Sequence, residues 1–328
     1  MTNPWLGVEA VSQWLSNTVR HRPWAISIEI THNCTANCQH CDKGERIDDE
    51  KLASPEEYLR IYKQLRPIVI QISGGEPLLR KDLLDIIRIL KKPGHLPYLV
   101  LVTNASLLTV EKYAALKRAG IDQFSISLDF PDSRHDENRR IPGLYAHLDD
   151  IIPRITRNGN GDINVLTAVT RLNYPYLLDN LRVAERWRTR MNLSIYTAGR
   201  TGNRDLLISS PQDLEMFRTV VDKLIEEKRK GACIFASEAV LNRYYRFFER
   251  GANANGCKAG IRCLVVNPDG RLCPCAMKPE TAYGSLRELQ EHFSRTNHCS
   301  DCYISMRAHT EKSLGEMARD VWVSRMGR

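Results

Sequence analysis

Cys34, Cys38 and Cys41 stand in a CxxxCxxC spacing inside the stretch THNCTANCQHCD. Three thiolates can hold three irons of a four-iron, four-sulfur cluster and leave the fourth iron open to another ligand, whereas four thiolates would close it. Zinc is the alternative. A structural zinc site wants a fourth protein ligand, which His32 or His40 would supply only awkwardly. Six more of the ten cysteines, Cys257, Cys263, Cys273, Cys275, Cys299 and Cys302, form a second group near the C-terminus, where a paired-cysteine zinc site is again an alternative. Cys233 stands alone and reads as a buried small hydrophobe.

No stretch approaches the roughly 20 apolar residues of a membrane span, and the N-terminus lacks the basic-then-apolar pattern of a signal peptide. A cytoplasmic location is therefore expected. Thiols stay reduced there, so the cysteines call for a metal or redox role rather than disulfides. Hydrophobic residues at 42% and charged residues at 26% are ordinary for a folded globular chain. The net charge of +8 is spread out. Its densest run, Arg182, Arg186, Arg188 and Arg190, reads as the solvated face of one helix, which gives nucleic acid little to hold.

The elements that must position the first cysteine group are six short apolar runs, AISIEI (25–30), IVIQIS (68–73), YLVLVT (98–103), FSISLD (124–129), INVLTAVT (163–170) and NLSIYTA (192–198). They read as continuous rather than alternating, the pattern of parallel strands buried on both faces. Helical segments lie between them. Ser54, Pro55 and Glu57 make a capped start before a stripe of Tyr58, Ile61, Tyr62 and Leu65, and Ser210 and Pro211 do the same before Leu214, Phe217, Val221 and Leu224. The repeated βα unit predicts a partial (β/α)6 TIM-like barrel, with its chemistry at the C-terminal ends of the strands. From about Gly251 the chain turns to Gly, Asn and Cys in short turns, with NPDG (267–270) as a hairpin turn. The expected organisation is an N-terminal helical segment (1–24), the barrel (25–250), a small cysteine-rich cluster domain (251–310) and a C-terminal helix (311–328). The first segment carries Trp5, Trp14 and Leu15 beside Arg20, His21 and Arg22, and is expected to cover the barrel in preference to lying on a membrane surface.

On these motifs the chain resembles the radical S-adenosylmethionine superfamily. CxxxCxxC with His40 before its last cysteine follows the first strand, and Gly74, Gly75, Glu76 and Pro77 match the family's GGEP element after the second. By that resemblance Glu76 receives the methionine ammonium group, and His40, Gly74, Gly75, Asn104, Ser127 and Asp129 join it at the cofactor, with Thr103 beside Asn104. The stretch HDENRRIPGLY resembles HDxxRGxxGxF of members with a C-terminal cluster domain, which assigns Arg139 to the methionine carboxylate. Arg140 stands where the family commonly has glycine. The resemblance implies reductive cleavage of S-adenosylmethionine to a 5′-deoxyadenosyl radical, which abstracts hydrogen from a substrate. The protein's part is placement and exclusion of water.

Families with a SPASM or shortened twitch domain run Cys, nine to fifteen residues, Gly, four residues, Cys. Cys257, Gly270 and Cys275 fit that pattern and Cys263 does not. With Cys299 and Cys302 this implies one auxiliary four-iron cluster on Cys257, Cys275, Cys299 and Cys302, leaving Cys263 and Cys273 as non-ligands. Such a cluster moves electrons, so a net oxidation of the substrate is expected. Ribosomal-peptide maturation and lipid modification are the alternative activities; an iron-sulfur electron carrier and a zinc-dependent nucleic-acid-binding module are the non-enzymatic ones. A small-molecule substrate is favoured over a peptide, because peptide modifiers often carry a leader-binding domain ahead of the barrel and the 33 residues before Cys34 are too few for one. A reduced flavodoxin- or ferredoxin-like protein is the expected electron donor.

Overall fold

A computed structural model describes residues 4–313 apart from 158, 160 and 251–255, together with 315 and 316. The six expected runs form strands β1 (Ala25–Glu29), β2 (Val69–Ser73), β3 (Tyr98–Thr103), β4 (Gln123–Ser127), β5 (Ile163–Val169) and β6 (Arg190–Ile195), joined by β7 (Cys263–Val266) and β8 (Leu272–Cys273). The sheet order is β6-β5-β4-β3-β2-β1-β7-β8, parallel except for β8. The barrel therefore gains an edge beyond the six strands read from the sequence. The hairpin of the cysteine-rich segment adds to β1, with Ala25 opposite Cys263 and Ile28 opposite Val266.

The helices are α1 (Pro4–Val19), α2 (Pro55–Leu65), α3 (Leu83–Leu90), α4 (Val110–Ala119), α5 (Arg134–Arg139), α6 (Leu144–Thr156), α7 (Leu177–Arg186), α8 (Pro211–Arg229), α9 (Glu238–Arg250), α10 (Leu286–Leu289) and α11 (Ser305–Thr310). Ser54 and Ser210 cap α2 and α8, accepting from the Glu57 and Asp213 amides, and Tyr58, Ile61 and Leu65 of α2 enter the core as the stripe predicts. NPDG makes its turn between β7 and β8, with the Gly270 N–H donating to the Asn267 carbonyl at 2.9 Å.

The six strands are parallel and largely buried on both faces, as the runs predict, but in β1, β2, β4 and β6 their apolar side chains alternate with polar ones. Ile26, Ile28, Ile70, Ile72, Phe124, Ile126, Ile163, Val165, Met191 and Leu193 join the helices in one apolar core. Side chains of a strand alternate between faces, so Ser27, Glu29, Gln71, Ser73, Ser125, Ser127, Asn164, Asn192 and Ser194 line the barrel interior. An ordinary barrel interior is filled with branched apolar residues. This one is polar.

Three further expectations change. Arg188 and Arg190 do not share a helix with Arg182 and Arg186: α7 ends at Arg186, Arg188 turns left-handed (φ 54°), and Arg190 opens β6. Cys233 is exposed, because its stretch pairs with the edge of β6 and turns Ile234 inward instead. In α1, Leu15 faces solvent with Val8, Val11 and Val19, and the buried Asn17 ties the helix down by donating to the carbonyls of Pro23 (3.1 Å) and Arg66 (2.9 Å). Of the C-terminal helix expected over 311–328, residues 314 and 317–328 lie outside the described residues, as does the side chain of Trp5. Among the described residues no helix is long and apolar enough to cross a membrane.

Candidate active site

The CxxxCxxC loop leaves the end of β1 and is docked against the end of β2 by backbone alone. The Gly75 N–H donates to the Thr31 carbonyl at 2.7 Å and the Glu76 N–H to the Asn33 carbonyl at 2.8 Å. A Cβ on Gly74 would lie 2.1 Å from the Thr31 oxygen, and one on Gly75 would lie 2.1 Å from the Asn33 oxygen; Gly74 also needs a φ of +132°. The glycine pair thus serves close approach of two backbones. Asn33 then clasps the far side of the loop, donating to the Ile47 carbonyl (3.0 Å) and accepting from its N–H (2.8 Å). Glu50 accepts from the Thr31 hydroxyl and the His32 amide. Neither Asn33 nor Glu50 was singled out by motif, since both act on the loop's backbone rather than on a ligand.

Each thiol of the loop has a donor near it. The Ala36 N–H points to Cys34 Sγ at 3.4 Å, the Asn104 amide to the same sulfur at 3.8 Å, Arg139 Nη1 to Cys38 Sγ at 3.8 Å, and the Lys43 N–H to Cys41 Sγ at 3.5 Å. Burial pushes the Cys34 thiol up and carries Cys38 to about 11, opposed at Cys38 chiefly by the Arg139 guanidinium. Thiols in this setting shed their protons to a metal rather than to water. Among the described residues no three His, Cys, Asp or Glu side chains converge as the ligands of a single metal ion do. Thiolates of a four-iron cluster each go to a different iron and so stand apart. The donor set, three spaced sulfurs with N–H groups aimed at them, fits such a cluster.

The other predicted residues form two hydrogen-bonded groups along the same rim, one around Glu76 and one around Asp129. Glu76 is wholly buried and accepts from the Thr103 hydroxyl (2.6 Å), the Asn104 amide (2.8 Å) and the Leu78 amide (3.0 Å), so it braces β2 against β3 with most of its acceptor capacity taken. Burial pushes its carboxyl up in spite of those donors. Asn104 also donates to Thr35 Oγ1 at 2.9 Å, and Ser127 donates to the Thr103 carbonyl at 3.4 Å. Asp129 is wholly buried and receives Arg139 Nε at 2.8 Å, Asn138 Nδ2 at 2.9 Å and the Ala168 N–H at 3.1 Å. Burial opposes its charge, but Arg139, His40, His135 and the Ala168 N–H together hold the carboxyl below the usual range. His40 lies 3.5 Å from the Asn138 amide, and burial lowers its pKa. Arg140, the departure from glycine, adopts the left-handed conformation (φ 54°, ψ 41°) that caps α5. Asp136 fixes the turn that follows by accepting from the Gly143 and Tyr145 amides at 2.8 and 2.6 Å.

A charge cluster beside the loop escaped motif reading. Glu29, at the end of β1, sits against His32 Nε2 (2.8 Å), Lys43 (3.7 Å) and Arg200 (3.9 Å), and Arg200 also pairs with Asp42 at 2.5 Å. Burial works against Glu29's charge, yet His32, Arg200 and Lys43 together hold its carboxyl below the usual range. The signal was a lone acid within an apolar run, AISIEI. Deeper in the interior both amide atoms of the wholly buried Asn164 and Oδ1 of Asn192 have no partner.

The second cysteine group gathers between β7, β8 and α11. Asn297 joins two of its stretches, donating to the Cys257 carbonyl (3.1 Å) and accepting from the Cys299 N–H (3.0 Å). Burial raises Cys257, takes Cys275 to about 12 and Cys302 to about 11, and the thiols of Cys257, Cys275, Cys299 and Cys302 repel one another's charged forms. Cys263 is also buried; burial pushes its thiol up to about 12, opposed by a hydrogen bond to the Thr310 side chain. Cys273 faces away from the group toward Glu29 and Asp269, its Sγ 3.5 Å from the Pro279 carbonyl.

Residues 28–167 match the model of the Radical SAM superfamily. The chain is 26% identical over 295 residues, 81% of its own length and 72% of the relative's, to the AdoMet-dependent heme synthase of Oleidesulfovibrio alaskensis. It is 27% identical over 265 residues, 77% of its length and 67% of the relative's, to the PqqA peptide cyclase of Granulibacter bethesdensis. Its fold is similar to that of Streptococcus suis SuiB bound to the precursor peptide SuiA, with a TM-score of 0.64 at 15% identity over 87% of this chain and 68% of that one. A Radical SAM match over this stretch implies a four-iron, four-sulfur cluster and S-adenosylmethionine.

Proposed function

We propose that this radical S-adenosylmethionine enzyme carries out a net oxidation of a polar substrate held in the barrel, with its first cluster on Cys34, Cys38 and Cys41. The observation that carries this reading is the docking of the three-thiol loop on the strand ends, with Asn104 and Arg139 reaching the Cys34 and Cys38 sulfurs. When bound, the cluster and S-adenosylmethionine supply hydrogen-atom abstraction by a cofactor-derived radical. The chain's own residues do the positioning. Gly74 and Gly75 set the loop, Glu76 ties the second strand end to the third, and the Asp129–Arg139 pair holds a guanidinium beside Cys38. His40, Asn104 and Ser127 complete the rim on which the cofactor lies.

Cys257, Cys275, Cys299 and Cys302 hold the auxiliary cluster in this reading, an electron store that makes oxidation of the substrate accessible. Cys263 and Cys273 are not ligands, and a flavodoxin- or ferredoxin-like protein is the donor. The substrate presents hydrogen-bonding groups, because Asn164 and Asn192 offer buried amide atoms that a lipid chain would leave unpaired. The relatives give no support to a small molecule over a peptide. A polar interior suits a peptide backbone as well as a hydroxylated small molecule.

Iron and sulfide analysis of anaerobically prepared protein tests the assignment. About eight irons per chain are expected for two clusters, falling by about half in both Cys38→Ala and Cys299→Ala. Zinc in place of iron would overturn the reading, and full iron in Cys299→Ala would overturn the ligand assignment.

A further inference from the structure

Arg307 lies in α11, five residues after Cys302, and only 2% of it is exposed. Two of its three nitrogens are committed. Nε donates to Glu311 Oε1 at 2.7 Å and Nη1 to the Cys302 carbonyl at 2.8 Å. Nη2 is buried with no hydrogen-bond partner. A buried guanidinium N–H left without an acceptor is costly unless something in its surroundings takes it. The Nη1 bond to the Cys302 carbonyl holds the guanidinium against the second cysteine group.

We infer that Arg307 sets the reduction potential of the auxiliary cluster, as a buried guanidinium tied to the Cys302 backbone with an uncommitted Nη2. This rests on the reading that Cys257, Cys275, Cys299 and Cys302 hold such a cluster. A cluster gains negative charge on reduction, so a fixed cation and an N–H donor beside it favour the reduced state; hydrogen bonds to sulfur and local charge are the usual controls of potential. Glu311 works in the opposite sense, partly offsetting the cation across their ion pair. Arg307 is a tuning residue here: it holds no iron.

The full chain with Cys34, Cys38 and Cys41 all replaced by alanine isolates the auxiliary cluster, and a redox titration followed by electron paramagnetic resonance reads its midpoint. Adding Arg307→Leu lowers the reduced-to-oxidised ratio at a fixed potential about tenfold, a midpoint about 59 mV lower for one electron. Glu311→Gln moves the midpoint the other way, and it decides the matter if Arg307→Leu takes up no iron. Arg307→Lys, which keeps the charge, shifts it less than the leucine variant. A parent protein that takes up no iron would sink the auxiliary-cluster reading itself. A loaded cluster whose midpoint ignores both Arg307→Leu and Glu311→Gln would overturn the role of Arg307.

Discussion

Asn164 is buried on the interior face of β5 with neither end of its amide satisfied. An unmet buried polar group costs about 1–3 kcal/mol, and leucine keeps the same branched skeleton without that demand. Asn164→Leu is accordingly expected to raise stability by about 1 kcal/mol, read as a higher denaturation midpoint, in return for a barrel less able to hold a polar substrate. Loss of stability would show that the amide is already paired in solution. His309 provides a second test. Burial takes its pKa to about 3, its ring packs edge-on to Phe235 at 5.0 Å, and an unfolded histidine titrates near 6.5. Between those values the unfolded chain binds more protons, so the stability His309 leaves intact above about pH 6.5 is lost on acidification, by up to about 1.4 kcal/mol per pH unit. His309→Phe should flatten that part of the pH profile, and an unchanged slope would refute the assignment. At this scale the sequence disclosed the metal-binding thiols and little of what surrounds them. Glu76, Asp129 and Arg139 were legible as site residues because they sit in motifs. That Glu76 bonds to Thr103 and Asn104, and Asp129 to Arg139, depends on strand ends brought together only by folding.

The glycine pair at the end of β2 shows how an element governs the site. Gly75→Ala would drive a Cβ into the Asn33 carbonyl and push the CxxxCxxC loop off its seat. Iron content should fall by about half, with the auxiliary cluster kept; full iron would mean that the loop tolerates the displacement. Arg140→Gly acts in the other direction. Arg140 is exposed and left-handed at the end of α5, a conformation that costs a side-chain-bearing residue about 1 kcal/mol, so glycine should stabilise the protein by about that much in thermal or chemical unfolding. The helices and six strands could be read from caps and apolar runs. The alternation within those runs was hidden, because Ser and Ala in AISIEI or FSISLD do not announce which face they take. The run of arginines from 182 to 190 misled for a similar reason: composition carries no mark of where a helix gives way to a strand.

Across the whole molecule the two cysteine groups share one sheet. The β7–β8 hairpin adds to β1, whose far end launches the CxxxCxxC loop, and α11 lies across the open side of the barrel, with the Ser305 amide donating to Ser194 Oγ at 3.1 Å. Pairing of β7 with β1 joins residues more than two hundred positions apart, a contact that no local pattern encodes. The account stands or falls on the chemistry of the first site. Anaerobically reconstituted, reduced protein given S-adenosylmethionine should release 5′-deoxyadenosine, and the Cys38→Ala variant should release none. Protein that holds its iron and accepts electrons yet never forms 5′-deoxyadenosine would contradict the central claim.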